Sequence, residues 1–225
     1  MSEDFEWLKP DYIPTKVRID ICNLCQLDCA ACWIRKNEDI IKQKLDGFGY
    51  TKFEIFRDFV DKHPFIKEIE LSNNDEIFLN PDLLEIIMYS YQKNITLSAV
   101  GGVNLNTLPD SVAEALVKYQ FNRMVVALDG ATPETYSIYR RKGDFNKVIE
   151  HIKLINYYKE KYNSEFPRLT YQFVVFGHNE HEIEQAKQLA KELNMNISFN
   201  VNCRSEYSPI KNRKLVSKLT KLKYF

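Results

Sequence analysis

An α/β fold is predicted by the regular alternation of strand-like and helix-like segments along this 225-residue chain. Six strand–helix units leave little room for hairpins, so the strands are expected to run parallel in one sheet. Right-handed crossovers then roll the units into an open barrel.

Taken in order, Thr15–Ile21 (TKVRIDI) reads as the first strand and feeds a cysteine-rich loop. Residues 33–50 are polar and carry Gly47 and Gly49, the pattern of a mobile cover. Thr51–His63 reads as a helix with Phe53, Phe56, Phe59 and Val60 on one face. Ile66–Ser72 is the second strand. Asn80-Pro81 reads as a helix opening, an N-cap followed by proline in the first turn. That helix runs to about Tyr91, with Leu84, Ile87, Met88 and Tyr91 inward. Ile95–Val100 is the third strand, and Gly101-Gly102 after it permits close backbone approach or a turn. Asp110–Tyr119 is a helix and Arg123–Leu128 the fourth strand. Thr132-Pro133 caps a short helix through Tyr136 and Tyr139. Asp144–Tyr162 is the longest helical stretch, with Val148, Ile152 and Ile155 on one side. Leu169–Phe176 is the fifth strand, Asn179 caps a helix to Leu193, and Ile197–Val201 is the sixth strand. Residues 1–14 form an N-terminal extension, 15–209 the barrel, and 210–225 a basic helix or tail. Lys211 to Phe225 carry six basic residues and no acidic one, while Leu215, Val216, Leu219 and Leu222 suit a helix covering the barrel.

A composition 44% hydrophobic supports a substantial core, and a formal charge of zero gives no sign of a nucleic-acid binder. The polar start MSEDFEWLKPDY lacks an apolar signal region, and no run of about 18 apolar residues occurs. The expectation is a cytoplasmic protein with reduced cysteines, no membrane span and no nucleic-acid partner.

The chemistry is concentrated in Cys25–Gln–Leu–Asp–Cys29–Ala–Ala–Cys32, three cysteines in eight residues. A loop this tight can wrap three corners of a cuboidal iron–sulfur cluster and leave the fourth iron open. Structural zinc competes, since Cys22/Cys25 and Cys29/Cys32 are two C-x-x-C pairs. Zinc modules, however, usually separate their pairs by a dozen or more residues, and only Gln26, Leu27 and Asp28 intervene here. A thioredoxin-like pair at Cys22/Cys25 needs a thioredoxin-like fold. A disulfide framework is disfavoured by five clustered or odd cysteines in a chain of this size.

The C-x3-C-x2-C of Cys25, Cys29 and Cys32, followed by aromatic Trp33, resembles the radical S-adenosylmethionine superfamily. Asn80-Pro81 and DGATPETYSIYRR at 129–141 resemble more specifically the branch that includes the SPASM-type maturases, without its C-terminal auxiliary-cluster segment. The likeness spans Arg18 to Pro209. It implies a partial (β/α)6 TIM-like barrel whose cysteine loop sits at the carboxyl ends of the strands, where such barrels place their chemistry. It also implies a [4Fe-4S] cluster on Cys25, Cys29 and Cys32, and S-adenosylmethionine bound at the open iron. Reductive cleavage would release a 5′-deoxyadenosyl radical that removes a hydrogen atom from a peptide or small-molecule substrate. A flavodoxin or ferredoxin would donate the electron.

The candidate cofactor-binding residues that follow are Trp33, Asn74, Asp75, Glu76, Asp129 and Arg140. The family's Gly-Gly-Glu, which receives the amino group of S-adenosylmethionine, is replaced by Asn74-Asp75-Glu76, with the carboxylate kept at Glu76. The family's ribose-contacting serine is Ala127 here. Arg140 matches the arginine that pairs with the S-adenosylmethionine carboxylate. In Gly177-His178-Asn179-Glu180-His181, a substrate contact is favoured over a metal site, because His178 and His181 straddle a helix start and no third ligand is evident. Cys22 and Cys203 are read as ordinary half-buried or buried thiols. The alternative function is a catalytically impaired barrel that binds a partner protein, suggested by the altered strand-two motif and Ala127.

Overall fold

The computed structural model describes residues 13–44, 48–73, 76–202, 204 and 206–223. Asn74, Asp75 and Cys203, and the N-terminal extension up to residue 12, lie outside the described residues.

Six strands form one parallel sheet in chain order. They are β1 (Lys16–Arg18), β2 (Glu68–Glu70), β3 (Thr96–Val103), β4 (Arg123–Ala127), β5 (Arg168–Val175) and β6 (Asn196–Val201). The helices are α1 (Trp33–Lys36), α2 (Glu38–Lys44), α3 (Phe53–Lys62), α4 (Leu83–Gln92), α5 (Asp110–Lys118), α6 (Pro133–Tyr139), α7 (Phe145–Lys161), α8 (Ile183–Glu192) and α9 (Arg213–Thr220). This is the predicted α/β class with a crossover between each pair of neighbouring strands.

The register separates two faces. Ile69, Leu97, Met124, Leu169, Tyr171 and Phe173 are buried under the helices, in one continuous core with Phe56, Ile86, Leu116, Val148, Ile152 and Ile155. Residues of opposite parity, among them Ser98, Val125, Thr170, Gln172 and Ser198, stay half-buried on the other face. Those residues stay outside the continuous buried core.

Several expectations are corrected. Residues 33–44, expected as a mobile cover, form α1 and α2. The inward face of α4 is Leu83, Ile86, Ile87 and Ser90, one residue out of phase with the prediction, and Tyr91 is exposed. The reason is Asn80, which is not an N-cap. Its side chain donates to the carbonyls of Ile21 (2.8 Å) and Thr51 (3.0 Å), and a 3-10 turn at Ile77–Leu79 delays the helix to Leu83. Asn179 likewise does not cap α8; it is buried and ties the ends of β4 and β5 together. β3 does not stop at Val100 but runs through both glycines with a register shift between Ala99 and Val103. A Cβ at Gly101 would lie 2.5 Å from the Ser72 carbonyl oxygen, and Gly102 has φ +104°, so neither position accepts a side chain without movement.

Thr132 caps α6 as expected, accepting from the Thr135 N–H. The buried carboxylate of Glu182 anchors the same corner from a 3-10 turn before α8, accepting from the Ala131 N–H (2.8 Å) and the Thr132 hydroxyl (2.7 Å). A Cβ on Gly130 would fall 2.6 Å from the Tyr136 nitrogen, against backbone that cannot give way. Gly130→Ala is therefore expected to destabilise the protein by about 1–3 kcal/mol, read as a fall in the urea midpoint at unchanged slope.

Candidate active site

The cysteine loop leaves β1, and its anchors fix where the sulfurs stand. Ile21, Leu27 and Ala31 are buried and seat the loop on the core. An antiparallel bridge joins Cys22 to Tyr50. Arg35 reaches back from α1 and donates to the carbonyls of Cys25 and Leu27 (3.1 Å for the latter). On the far side, the N–H groups of Asp28 and Ala30 donate to the carbonyls of Arg141 and Tyr139, each at 3.0 Å. The loop is thus held between β1, α1 and the end of α6, which explains why residues 110 positions apart meet here.

Cys25, Cys29 and Cys32 are each half-buried. Cys22 is buried in the core, and its S–H donates to the Leu24 carbonyl at 3.9 Å. Cys32 sits at the N-terminal cap position of α1. Two N–H donors face the loop sulfurs: Arg140 Nη1 lies 3.7 Å from Cys29 Sγ, and Asn104 Nδ2 lies 3.6 Å from Cys25 Sγ. Burial pushes the Cys29 thiol above its ordinary value, with the Arg140 guanidinium pulling the other way. Among the described residues no three His, Cys, Asp or Glu side chains close on a single ion, the arrangement a structural zinc requires. A cuboidal cluster instead takes its thiolates at separate irons. Three thiols of one loop, two of them faced by N–H donors, are the donor type such a cluster would take.

The predicted cofactor residues divide into two sets. Asp129, 0% exposed and at φ +56°, accepts from Arg140 through Nε (2.8 Å) and Nη2, and from the Val174 N–H (2.8 Å). The Arg140 fork expected to meet a ligand carboxylate therefore meets that of Asp129, with Nη1 left toward Cys29. Structurally, Asp129 positions Arg140. Trp33 is 55% exposed beside the loop.

Glu76 was expected to accept an ammonium group, yet its carboxylate is 0% exposed. It accepts from the N–H groups of Phe78 (3.3 Å), Asn104 (2.6 Å) and Leu105 (3.2 Å), while its own N–H donates to the Leu24 carbonyl (3.0 Å). Glu76 is a clamp between the cysteine loop and the exit of β3. It holds Leu105 at φ +54°, a conformation disfavoured for a residue with a Cβ.

Burial raises the Glu76 carboxyl to about 7, against the pull of its three backbone donors and of Arg140. The sign follows directly. Between pH 4.5 and 7 the unfolded chain has lost this proton and the folded one keeps it, so stability falls as pH rises through that window and levels off above it. The loss is at most about 3 kcal/mol. Thermal unfolding from pH 5 to pH 8 is expected to show this decline in the wild type and a flatter profile in Glu76→Gln.

Around the fifth strand end, His178 stacks on Phe176 (5.0 Å) and shares a contact of 2.8 Å with the Ser208 hydroxyl through Nδ1. Burial lowers its pKa. Glu180 accepts from the N–H groups of Lys211 and Asn212 ahead of α9, and His181 is exposed, so this trio does not converge. Sequence reasoning missed Asn104, Gln26 and the buried acid Glu70. Glu70 accepts from the Ser72 and Ser98 hydroxyls (2.7 and 2.8 Å) and pins the bulged part of β3 through the Val100 and Gly101 N–H groups. The one available signal was Gly101-Gly102, since a bulge re-aims the residues that follow it.

No family model matches the chain. A probable GTP 3′,8-cyclase of Methanocaldococcus jannaschii is 31% identical over 141 residues, which are 61% of this chain and 44% of that relative. The chain thus spans less than half of that relative's length. Streptococcus suis SuiB bound to S-adenosylmethionine superposes with a TM-score of 0.64 at 15% identity, covering 88% of this chain and 43% of SuiB. SuiB bound to its precursor peptide SuiA gives 0.59. The radical S-adenosylmethionine methyltransferase TsrM of Kitasatospora setae, with tryptophan substrate and a S-adenosylmethionine analogue bound, gives 0.58 at 14% identity, covering 83% of this chain and 35% of TsrM. These structures share the α/β fold of this chain, and the fold class read from the sequence stands.

Proposed function

We propose that this chain is a radical S-adenosylmethionine enzyme in which Cys25, Cys29 and Cys32 hold a [4Fe-4S] cluster with one iron open to S-adenosylmethionine. The observation that carries this reading is the set of three half-buried cysteines on one loop, two of them faced by N–H donors. Held by Cys25, Cys29 and Cys32, such a cluster would supply the one-electron chemistry for reductive cleavage of S-adenosylmethionine.

The residues of the chain supply position. Asp129 orients Arg140 toward Cys29, and Glu76 holds the backbone of Asn104, whose side-chain amide faces Cys25. Trp33 offers an exposed ring beside the loop, and Asn74 and Asp75 stand next to Glu76 in sequence as further candidates for the ligand's amino group. The half-buried sheet face would hold the substrate and position the C–H bond that reacts. A peptide is the favoured substrate class, supported by the precursor peptide bound to the similarly folded SuiB; a small metabolite is the other candidate. The finer kinship with SPASM-type maturases rests on Asn80-Pro81 and residues 129–141. A cytoplasmic setting with a flavodoxin or ferredoxin donor completes the proposal; among the described residues no helix is long and apolar enough to cross a membrane.

Anaerobic reconstitution with iron and sulfide, followed by S-adenosylmethionine and dithionite, tests it. Release of 5′-deoxyadenosine and methionine is expected. A cluster without cleavage favours the partner-binding barrel, and a colourless protein carrying zinc overturns both.

A further inference from the structure

The exit of β3 contains a polar unit of which the reading above uses only the Asn104–Cys25 contact and the Glu76 anchor. Asn104 is buried, and its backbone N–H is fixed by the Glu76 carboxylate. Its side-chain amide and that of Gln26 bond to each other in both directions, Gln26 Nε2 to Asn104 Oδ1 at 3.1 Å and Asn104 Nδ2 to Gln26 Oε1 at 3.3 Å. Asn104 Oδ1 also accepts from the Asn106 N–H at 2.9 Å. These bonds leave the Asn104 amide one orientation, in which Nδ2 faces Cys25 Sγ at 3.6 Å. Reversing the amide would place its NH2 group against the N–H of Asn106 and aim an oxygen at the sulfur. The donor is therefore set by the network around it.

Hydrogen bonds to the ligating sulfurs are among the terms that set the reduction potential of an iron–sulfur cluster. A donor at a thiolate stabilises the more negative, reduced state. We propose that Asn104 is a positioning residue whose amide, locked by Gln26, Asn106 and Glu76, donates to the Cys25 thiolate and raises the potential of a cluster held there. The inference rests on the proposed function and deepens it. Arg140 at Cys29 and Asn104 at Cys25 then act as a pair, one charged and one neutral, on two corners of the same cluster.

A redox titration of reconstituted wild type, Asn104→Ser and Asn104→Asp, followed by electron paramagnetic resonance, tests this. Asn104→Ser removes the donor without adding charge. It is expected to disfavour reduction about threefold, a shift of ~30 mV to more negative potential for a one-electron couple. Asn104→Asp keeps the shape and turns a donor into an acceptor, so its potential is expected to fall further. A purely structural role would lower the amount of cluster bound and leave the potential of the bound fraction unchanged; that result overturns the inference. If the serine variant fails to fold, the isosteric aspartate decides by the same criterion. A wild type that takes up no cluster overturns the proposed function, and this inference with it, whereas equal potentials in all three proteins overturn only the inference.

Discussion

Arg140→Ala is expected to destabilise the protein by about 3–5 kcal/mol, because it leaves the carboxylate of Asp129 buried with no countercharge. Asp129 is 0% exposed, and among the described residues two of the three hydrogen bonds its carboxylate accepts come from Arg140. The damage is expected to spread beyond the pair. Asn179 donates to the Asp129 carbonyl (2.9 Å), and the Val174 N–H donates to its side chain, so a displaced Asp129 loosens the ends of β4 and β5 together. Urea denaturation measures the loss. The double variant Asp129→Asn/Arg140→Ala is expected to recover part of it, since neither charge then remains buried alone. A single variant within 1 kcal/mol of wild type would mean that Asp129 finds water or another donor.

The second large effect concerns the thiols. Replacing Cys25, Cys29 or Cys32 by alanine is expected to abolish cluster binding and 5′-deoxyadenosine release, whereas Cys22→Ala keeps both. Cys22 is buried, with its S–H turned to the Leu24 carbonyl, so its loss is a packing change on the order of 1 kcal/mol. Iron and sulfide content, with visible absorption, separates the two classes. If Cys22→Ala loses the metal like the others, four thiols are ligands and the open iron disappears from the account.

The order of the strands and longer helices was legible because amphipathic periodicity survives in most of them: Val148, Ile152 and Ile155 mark the buried side of α7 as the sequence predicts, whereas α1 and α2 were missed. Element ends were harder, for a physical reason. Asn80-Pro81 has the local chemistry of a helix start, but the Asn80 amide is drawn away by two carbonyls 59 and 29 residues distant, and the helix begins later. Asn179 is drawn from α8 in the same way by the ends of β4 and β5. A propensity describes a local competition and is silent about a distant acceptor.

The site divides along the same line. The cysteines stood out because all three lie in one short loop. Arg140 and Asp129 were found through a motif, but their mutual pairing was not, since the motif says nothing of which carboxylate meets the guanidinium first. Glu76 reads as open to ligand because it keeps the carboxylate of the family's Gly-Gly-Glu motif. Its three backbone donors come from a 3-10 turn and a bulged strand that no local pattern announces. Asn104 and Gln26, 78 positions apart, meet only because β3 runs on past its two glycines.

The most direct measurement is the electron paramagnetic resonance spectrum of the reduced, reconstituted protein before and after S-adenosylmethionine is added. With three thiolates and one vacant iron, a [4Fe-4S]+ signal is expected whose g-values shift when the ligand occupies that iron. A cluster signal that S-adenosylmethionine leaves untouched, or no [4Fe-4S]+ signal at all, would contradict the account.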